Sequence, residues 1–180
     1  PTNPTLKTSD IKGITNLCKK HNLMLVVDNT FLGPYLQTPI NLGADIVINS
    51  MTKSLAGHSD VIMGGLVTSN ETLYNKLVDI QYQQGGVPSP FDCYLCTRGI
   101  KTLGVRMERY QENANKIAKF LNTHPKVEKV LYPGLPQYTN KDIFEKQSKG
   151  SGGIVSFYLK GDKKTSKKFL KNLKIFSLAV

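Results

Sequence analysis

The sequence lacks the features that define membrane, secreted and disulfide-rich proteins. It has no tryptophan and only three cysteines in 180 residues, too few thiols for a disulfide scaffold. Its longest apolar runs, such as residues 23–27, are far shorter than the roughly 20 residues of a transmembrane helix. No stretch combines a basic start, an apolar middle and a small-residue cleavage site. These absences predict a soluble cytoplasmic protein with no membrane partner.

Acidic residues are also scarce, since 13 aspartates and glutamates stand against 24 lysines and arginines, a formal net charge of +11. Such an excess is typical of proteins that bind nucleic acid or anionic surfaces. The excess is local only in the last third, at Lys160, Lys163, Lys164, Lys167, Lys168, Lys171 and Lys174. Because no zinc-finger-like or RNA-recognition pattern accompanies it, we interpret it as a solvated helix face. We therefore expect no nucleic-acid partner. A basic nucleic-acid-binding module is the alternative interpretation of the charge.

Two of the cysteines, Cys93 and Cys96, have C-x-x-C spacing. A zinc site would need a second pair, and a redox motif would need a strand before it. We therefore interpret both as helical thiols, one or both of them buried, and expect no metal site.

Short apolar runs alternate with amphipathic segments in the first 123 residues, which predicts an α/β protein. The runs suit parallel strands buried on both faces, and they lie at 23–28, 45–49 and 62–68. Helices are expected at 9–21, at 70–84, and from 90 to 122 with a break near Gly99. Thr8 or Ser9 can cap the first helix, and Ser89 can cap the third. The stripe of the third helix is expected in the core: Leu103, Met107, Tyr110, Ala114, Ile117 and Leu121.

The sequence pattern changes after His124-Pro125, where shorter helices and strands are expected. Strands are expected at 127–132, 154–159 and 174–178, and helices at 140–147 and 164–172. We therefore predict a large domain with its long connecting helix at 1–123 and the beginning of a smaller α/β domain at 124–180.

Polar groups stand next to all three strands of the first half. Asp28 directly follows the first, Ser50, Thr52 and Lys53 follow the second, and residues 57–60 lead into the third. Ligands of open α/β sheets bind just outside the carboxyl ends of the strands. We therefore expect the three groups to meet there.

A lysine near hydroxyls, with an acid on a neighbouring strand, suits a cofactor held as a Schiff base. Lys53 would bind the cofactor aldehyde, and Asp28 would keep a pyridine nitrogen protonated so that the ring accepts electrons. Ser50 and Thr52 would donate hydrogen bonds to a phosphate. An isolated S-x-T-K motif is a weak signal, since a surface lysine usually explains it. We interpret His58 and Asp60 as structural residues of their loop.

Four stretches, PTNPT, VVDNTF, GADIVINSMTKSLAGHSDVIMGG and VPSPFDCYLCTRGIKTLGVRMERY, resemble the Cys/Met-metabolism family of pyridoxal-phosphate-dependent enzymes. The resemblance covers essentially the whole chain, and residues 87–101 and 127–135 are most similar to the trans-sulfuration lyases of the family. It implies the aspartate-aminotransferase-like fold, a three-layer sandwich around a mostly parallel sheet. Residues 1–123 would then be part of the large pyridoxal-phosphate-binding domain.

By position, the resemblance also implies the roles of the site residues. Lys53 would bind pyridoxal 5'-phosphate covalently and then act as general base and acid. Asp28 would pair with the pyridinium nitrogen, Ser50 and Thr52 would bind the phosphate, and Asn3 would hydrogen-bond the phenolic oxygen.

The implied activity is a carbon–sulfur lyase that cleaves cystathionine, or a related thioether amino acid, to cysteine, 2-oxobutanoate and ammonia, with possible release of hydrogen sulfide. Synthesis of cystathionine by replacement at the γ-carbon and γ-elimination from methionine are the alternatives within the same chemistry. The resemblance further implies a homotetramer with active sites between subunits.

The chain resembles a central fragment of such an enzyme, since it begins without methionine and ends in mid-pattern. The family has an N-terminal tyrosine that stacks on the cofactor, a Tyr-x-Arg pair, and a C-terminal serine and arginine that hold the substrate carboxylate, and these lie outside the resemblance. If the 180 residues are the whole polypeptide, we expect an incomplete site, and a catalytically silent chain is the alternative. Ser54 stands where many members have tyrosine, a change that would alter the packing or the entrance of the site.

Overall fold

The computed structural model describes residues 1–177, which form two small sheets joined by a long helix. The helices are α1 (Ile11–Lys20), α2 (Gly33–Leu36), α3 (Glu71–Gln84), α4 (Pro90–Ile100), α5 (Leu103–Thr123), α6 (Lys141–Gln147) and α7 (Lys163–Lys171). The strands are β1 (Val26–Asp28), β2 (Ile46–Ser50), β3 (Gly64–Val67), β4 (Val127–Leu131) and β5 (Ser156–Leu159). A 3-10 turn spans Pro39–Leu42, and a π-type turn, here called the Lys53 turn, spans Met51–Leu55. The alternation of elements confirms the α/β class.

The first sheet has the order β1-β2-β3 and is mixed. β1 and β2 are parallel, with Val26 opposite Ile46, whereas β2 and β3 are antiparallel, with Ser50 opposite Gly64. The expectation that the third strand is parallel was therefore wrong. The reason lies in the connection, because Met51 donates to the carbonyl of Met63 at 2.9 Å and so keeps residues 51–63 at the end of β2. β3 begins at that edge and runs back along β2.

Burial on both faces was predicted for all three strands and holds only for the middle one. Ile46 and Val47 of β2 are 8% and 4% exposed, whereas Val26 of β1 is 46% exposed and Leu66 of β3 is 54% exposed. β1 and β3 are the edge strands of this sheet, so each has a neighbour on one side only. β1 is also shorter than the predicted run at 23–28.

Of the two predicted helix N-caps, one is confirmed and one lies at a neighbouring residue. The N-cap of α1 is Asp10, whose carboxylate accepts the N–H of Gly13 at 2.9 Å, rather than the predicted Thr8 or Ser9. Thr8 is buried instead, and its hydroxyl contacts that of Tyr138. Ser89 caps α4 as predicted and accepts the N–H of Asp92 at 3.1 Å. The expected break in the third helix is the short link between α4 and α5.

The second sheet pairs β4 and β5 in antiparallel fashion and packs against α5. Its core joins helix and sheet residues: Ala114, Ala118, Val127, Val130, Tyr132 and Leu135. Two members of the predicted core stripe, Tyr110 and Ile117, are instead 38% and 39% exposed, although Met107 and Ala114 are buried. The predicted last strand is absent from residues 174–177, and Leu178 lies outside the described residues. The proposed division after residue 123 stays a prediction.

A third group of buried side chains fixes the Lys53 turn against α4. Ala56 and Val61, which follow the turn, are buried together with Cys96 of α4. Cys93 is exposed, so the prediction of helical thiols with at least one buried is confirmed. Among the described residues, no helix is long and apolar enough to cross a membrane, and no group of three or more histidines, cysteines or acids is placed to hold a metal ion.

Candidate active site

The carboxyl ends of β1 and β2 lie side by side because the two strands are parallel. Thr30 connects them: its Oγ1 accepts the N–H of Ser50 at 2.8 Å, and its own N–H donates to Oδ1 of Asp28 at 2.9 Å. Asp28 is exposed rather than buried. The structure therefore brings Asp28 and Ser50 to one sheet edge, with the Asp28 carboxylate oriented by the main chain.

The third polar group reaches the same edge by a different route from the one expected. Residues 57–60 precede β3, and an antiparallel strand begins where its neighbour ends. Thr52 links the Lys53 turn to the segment before β3, since its Oγ1 accepts the N–H of Met63 at 2.9 Å. His58 contacts the carbonyl of Ala56 through Nδ1 at 2.7 Å, which agrees with its interpretation as a structural residue.

Lys53 lies at a kink in its turn, with φ −78° and ψ −121° where the flanking residues are helical. The N–H groups of Ala56 and Gly57 donate to the carbonyls of Met51 and Lys53 at 2.8 and 2.9 Å and so close the turn. Lys53 itself is exposed. The turn thus presents the lysine at the surface just beyond the end of β2.

An open cleft of about 2220 Å³ begins at the Lys53 turn and extends between α5 and the second sheet. Asn3, Thr52 and Lys53 line it, as does Asp60. Asp28 and Ser50 lie outside its lining, whereas Thr30, which hydrogen-bonds to both of them, lies within it. Three of the five predicted site residues therefore share the cleft, and the other two lie at the adjoining strand ends.

The first segment of the chain lies close to this edge as well. Pro1 lies near enough to Asp28 for the charge of that carboxylate to act on it. Asn3, two residues later, is exposed and lines the cleft. The segment thus brings a side-chain amide toward the edge that carries the acid and the lysine.

These groups suit a cofactor that combines an aldehyde, a pyridine ring and a phosphate. The Thr52 hydroxyl lies 3.4 Å from the carbonyl of Met63, longer than an ordinary O–H···O bond. Its proton can therefore turn toward an anionic ligand while its oxygen still accepts the N–H of Met63. An exposed lysine, an oriented carboxylate and a wide cleft complete the fit.

Sequence reasoning missed two residues that hold the site together. Thr30 was not among the predicted site residues, yet it links β1 to β2. Arg106 of α5 received no role, and it donates to the carbonyls of Ser54 and Leu55 next to Lys53. Its position in the VRMERY stretch was the only signal, because periodicity does not indicate a partner about fifty residues away.

Comparison with solved structures defines the class of protein. The chain superposes with a TM-score of 0.97 on the cystathionine gamma-synthase of Xanthomonas oryzae pv. oryzae, solved with aminoacrylate and cysteine, at 40% identity over 100% of this chain and 46% of that one. It superposes with a TM-score of 0.96 on a methionine gamma-lyase of Micromonospora echinospora, at 36% identity over 100% of this chain and 49% of that one. The chain thus has the aspartate-aminotransferase-like α/β fold of pyridoxal-phosphate-dependent trans-sulfuration enzymes.

A sequence model of the Cys/Met metabolism PLP-dependent enzyme family matches residues 1–180, and the chain belongs to this family. The family's cofactor is pyridoxal 5'-phosphate. The cystathionine gamma-lyase of Dictyostelium discoideum is 54% identical over 179 residues, which are 99% of this chain and 46% of the relative. The chain therefore spans about half the length of the curated relatives it matches.

Proposed function

We propose that this chain carries the cofactor-binding part of a carbon–sulfur lyase that cleaves cystathionine, with Lys53 as the residue that binds pyridoxal phosphate. The observation that carries the proposal is the placement of Lys53 and Thr52 in one cleft with Asn3, beside the edge where Asp28 and Ser50 end β1 and β2. The high identity to a relative named cystathionine gamma-lyase supports this choice of substrate.

Bound pyridoxal phosphate supplies an aldehyde that condenses with amines and a ring that accepts electrons. The Lys53 amine is the group that holds it, and the exposed turn gives the amine access to the cleft. In this role the Lys53 amine would also take the proton from the substrate α-carbon and return a proton later. One side chain thus anchors the cofactor and moves the proton.

The other site residues bind and orient. Asp28 holds a proton on the ring nitrogen through its carboxylate, which the N–H of Thr30 keeps in place. Ser50 and Thr52 would donate hydrogen bonds from their hydroxyl groups to the phosphate, and Asn3 would donate one from its side-chain amide N–H to the phenolic oxygen. Of these, Thr52 has the geometry described above, an oxygen already satisfied by Met63 and a proton available to the ligand.

The substrate class we propose is a thioether amino acid, and the assembly is a homotetramer. Synthesis of cystathionine and elimination from methionine are the alternatives, because solved relatives that carry those names share the fold. The first 123 residues would form part of the cofactor domain, with the smaller domain beginning after them.

The test is an absorption spectrum of the purified chain after addition of pyridoxal phosphate. We expect a band near about 420 nm that borohydride reduces to a stable adduct, and we expect Lys53→Ala to abolish both. Lys101→Ala, which removes an exposed lysine at the end of α4, is the matched control and keeps the band. A band that persists in Lys53→Ala would contradict the assignment.

Product analysis then tests the substrate. With cystathionine, 2-oxobutanoate and cysteine are expected in equal amounts from a polypeptide that contains this chain and the complete site. Products from methionine alone would favour the methionine lyase alternative, and a requirement for an added thiol with formation of a new thioether would favour the synthase.

A further inference from the structure

Arg106 of α5 donates to four oxygen atoms around the Lys53 turn. Its Nη1 donates to the carbonyl of Ser54 at 2.6 Å, and its Nη2 donates to the carbonyls of Leu55 at 3.2 Å and Gly99 at 2.9 Å. Its Nε donates to Oγ1 of Thr102 at 3.0 Å. Three of the four acceptors are main-chain carbonyls, so the guanidinium joins the turn to the link between α4 and α5.

Two glycines allow close approaches in this region, Gly57 to the guanidinium and Gly99 to the carbonyl of Ala56. A Cβ on Gly57, which has φ +75°, would lie 2.1 Å from Nη1 of Arg106. A Cβ on Gly99 would lie 2.1 Å from the carbonyl oxygen of Ala56. Only residues without a side chain allow the turn, the helix link and the guanidinium to approach so closely.

Hydrogen bonds hold the main chain both before and after Lys53. Before it, the N–H groups of Met51 and Thr52 donate to the carbonyl of Met63 at 2.9 and 3.2 Å. After it, Arg106 holds the next two carbonyls, those of Ser54 and Leu55. The kink at Lys53 lies between these two anchors.

We infer that Arg106 is a positioning residue, which holds the peptide after Lys53 so that the lysine amine is presented into the cleft at the place where the cofactor aldehyde binds. The inference rests on the proposed role of Lys53. Arginine suits the task because its planar fork binds two adjacent carbonyls in a fixed geometry, whereas lysine offers a single flexible charge. Arg106 acts through the main chain and is given no contact with the cofactor.

The first measurement needs no cofactor. Hydrogen exchange of the Ala56 and Gly57 amides, which close the turn, is compared with exchange in β4. We expect Arg106→Gln to speed exchange in the turn by about tenfold and to leave β4 unchanged, because opening of one segment is local. Arg109→Gln is the matched control, since Arg109 lies on the same helix with its side chain 67% exposed and paired with Glu112.

The second measurement is borohydride trapping with pyridoxal phosphate, followed by peptide mapping of the labelled lysines. We expect Arg106→Gln to lower the share of label on Lys53 by about tenfold relative to other lysines, since small misplacements of a reacting group have effects of that size. Arg106→Lys is expected to recover part of this share. Thr102→Val, which removes the acceptor of Nε, provides a milder variant if the glutamine variant does not fold.

The outcomes separate the two proposals. Faster exchange in the turn together with lost Lys53 labelling supports the positioning role. Unchanged exchange, or equal Lys53 labelling in all folded variants, overturns that role and leaves the proposed function intact. Absence of label on Lys53 in the unaltered chain overturns the proposed function, and the positioning role with it.

Discussion

Gly99 has no side chain, and this allows the chain that follows the Lys53 turn to pack closely against α4. It is buried in the last turn of that helix, and a Cβ there would meet the carbonyl oxygen of Ala56 at 2.1 Å. We expect Gly99→Ala to destabilise the fold, because overpacking against a backbone atom costs about 1–3 kcal/mol and outweighs the roughly 0.5–1 kcal/mol that alanine gains in a helix. The midpoint of urea unfolding measures the change.

Gly86→Ala is the control for that prediction, since a Cβ at Gly86 has no neighbour within 4 Å. It is expected to change the free energy of unfolding by less than about 0.5 kcal/mol. A Gly99→Ala chain as stable as the unaltered one would show that the turn and α4 can separate at little cost, and would weaken the basis for a fixed Lys53.

At the scale of elements, Tyr132 ties the end of β4 to the segment before β5. It is 1% exposed, and its hydroxyl donates to the buried carbonyl of Gly152 at 3.0 Å. Burial raises the pKa of this phenol above its ordinary value of 10.0, and a hydrogen bond with Ser151 opposes part of the rise. The neutral phenol is therefore favoured in the fold.

We predict a pH-dependent loss of stability from this tyrosine. Because its pKa is raised by folding, its contribution is fully present below the unfolded pKa of about 10 and is lost as pH rises through the higher folded value. Tyr132→Phe should cost about 1–3 kcal/mol at neutral pH, since the Gly152 carbonyl loses its donor, and should flatten the alkaline decline. Urea midpoints at about pH 8 and about pH 11 test both parts.

Tyr158→Phe provides the comparison on the neighbouring strand, because Tyr158 of β5 is 50% exposed. It is expected to leave both midpoints nearly unchanged. An alkaline decline that is equally steep in Tyr132→Phe and in the unaltered chain would exclude Tyr132 as its source.

The elements also show which parts of the fold were readable from the sequence. Apolar runs and caps located nearly every helix and strand, because burial and capping are encoded within a few residues. The direction of β3 was not readable, since a period of two is the same in parallel and antiparallel strands. Asp10 replaced Thr8 as a cap because Thr8 is buried against Tyr138, a contact between residues 130 positions apart.

The residues of the candidate site also divide into those that the sequence predicted and those that it did not. Lys53 and Thr52 were predicted as site residues because they follow a strand and stand together in one short motif, and the structure places both in the lining of the cleft. Arg106 was missed because its acceptors at Ser54 and Leu55 lie 52 and 51 positions away. Local chemistry is visible in a sequence, whereas the residues that support it from another helix become visible only in the fold.

At the scale of the whole molecule, the cleft joins the two sheets. Thr52 and Lys53 line it from the first sheet, and Tyr110 and Phe157 line it from α5 and the second sheet. Because residues of the Lys53 turn, of α5 and of the second sheet form the cleft, a ligand that binds there binds the folded chain and not the unfolded one. Binding should therefore stabilise the whole molecule rather than one element.

We accordingly expect pyridoxal phosphate to raise the thermal midpoint of the chain. At a free concentration of 100 times its Kd, it should add about 2.7 kcal/mol, equivalent to roughly 5–10 °C for a chain of this size. Lys53→Ala should lose most of this shift, and pyridoxal without the phosphate should give less because Ser50 and Thr52, the proposed phosphate ligands, then lack an acceptor. Since the chain carries a net charge of +11, inorganic phosphate is the control for non-specific anion binding. An equal shift with inorganic phosphate, or in Lys53→Ala, would mean that the ligand binds the basic surface rather than the cleft.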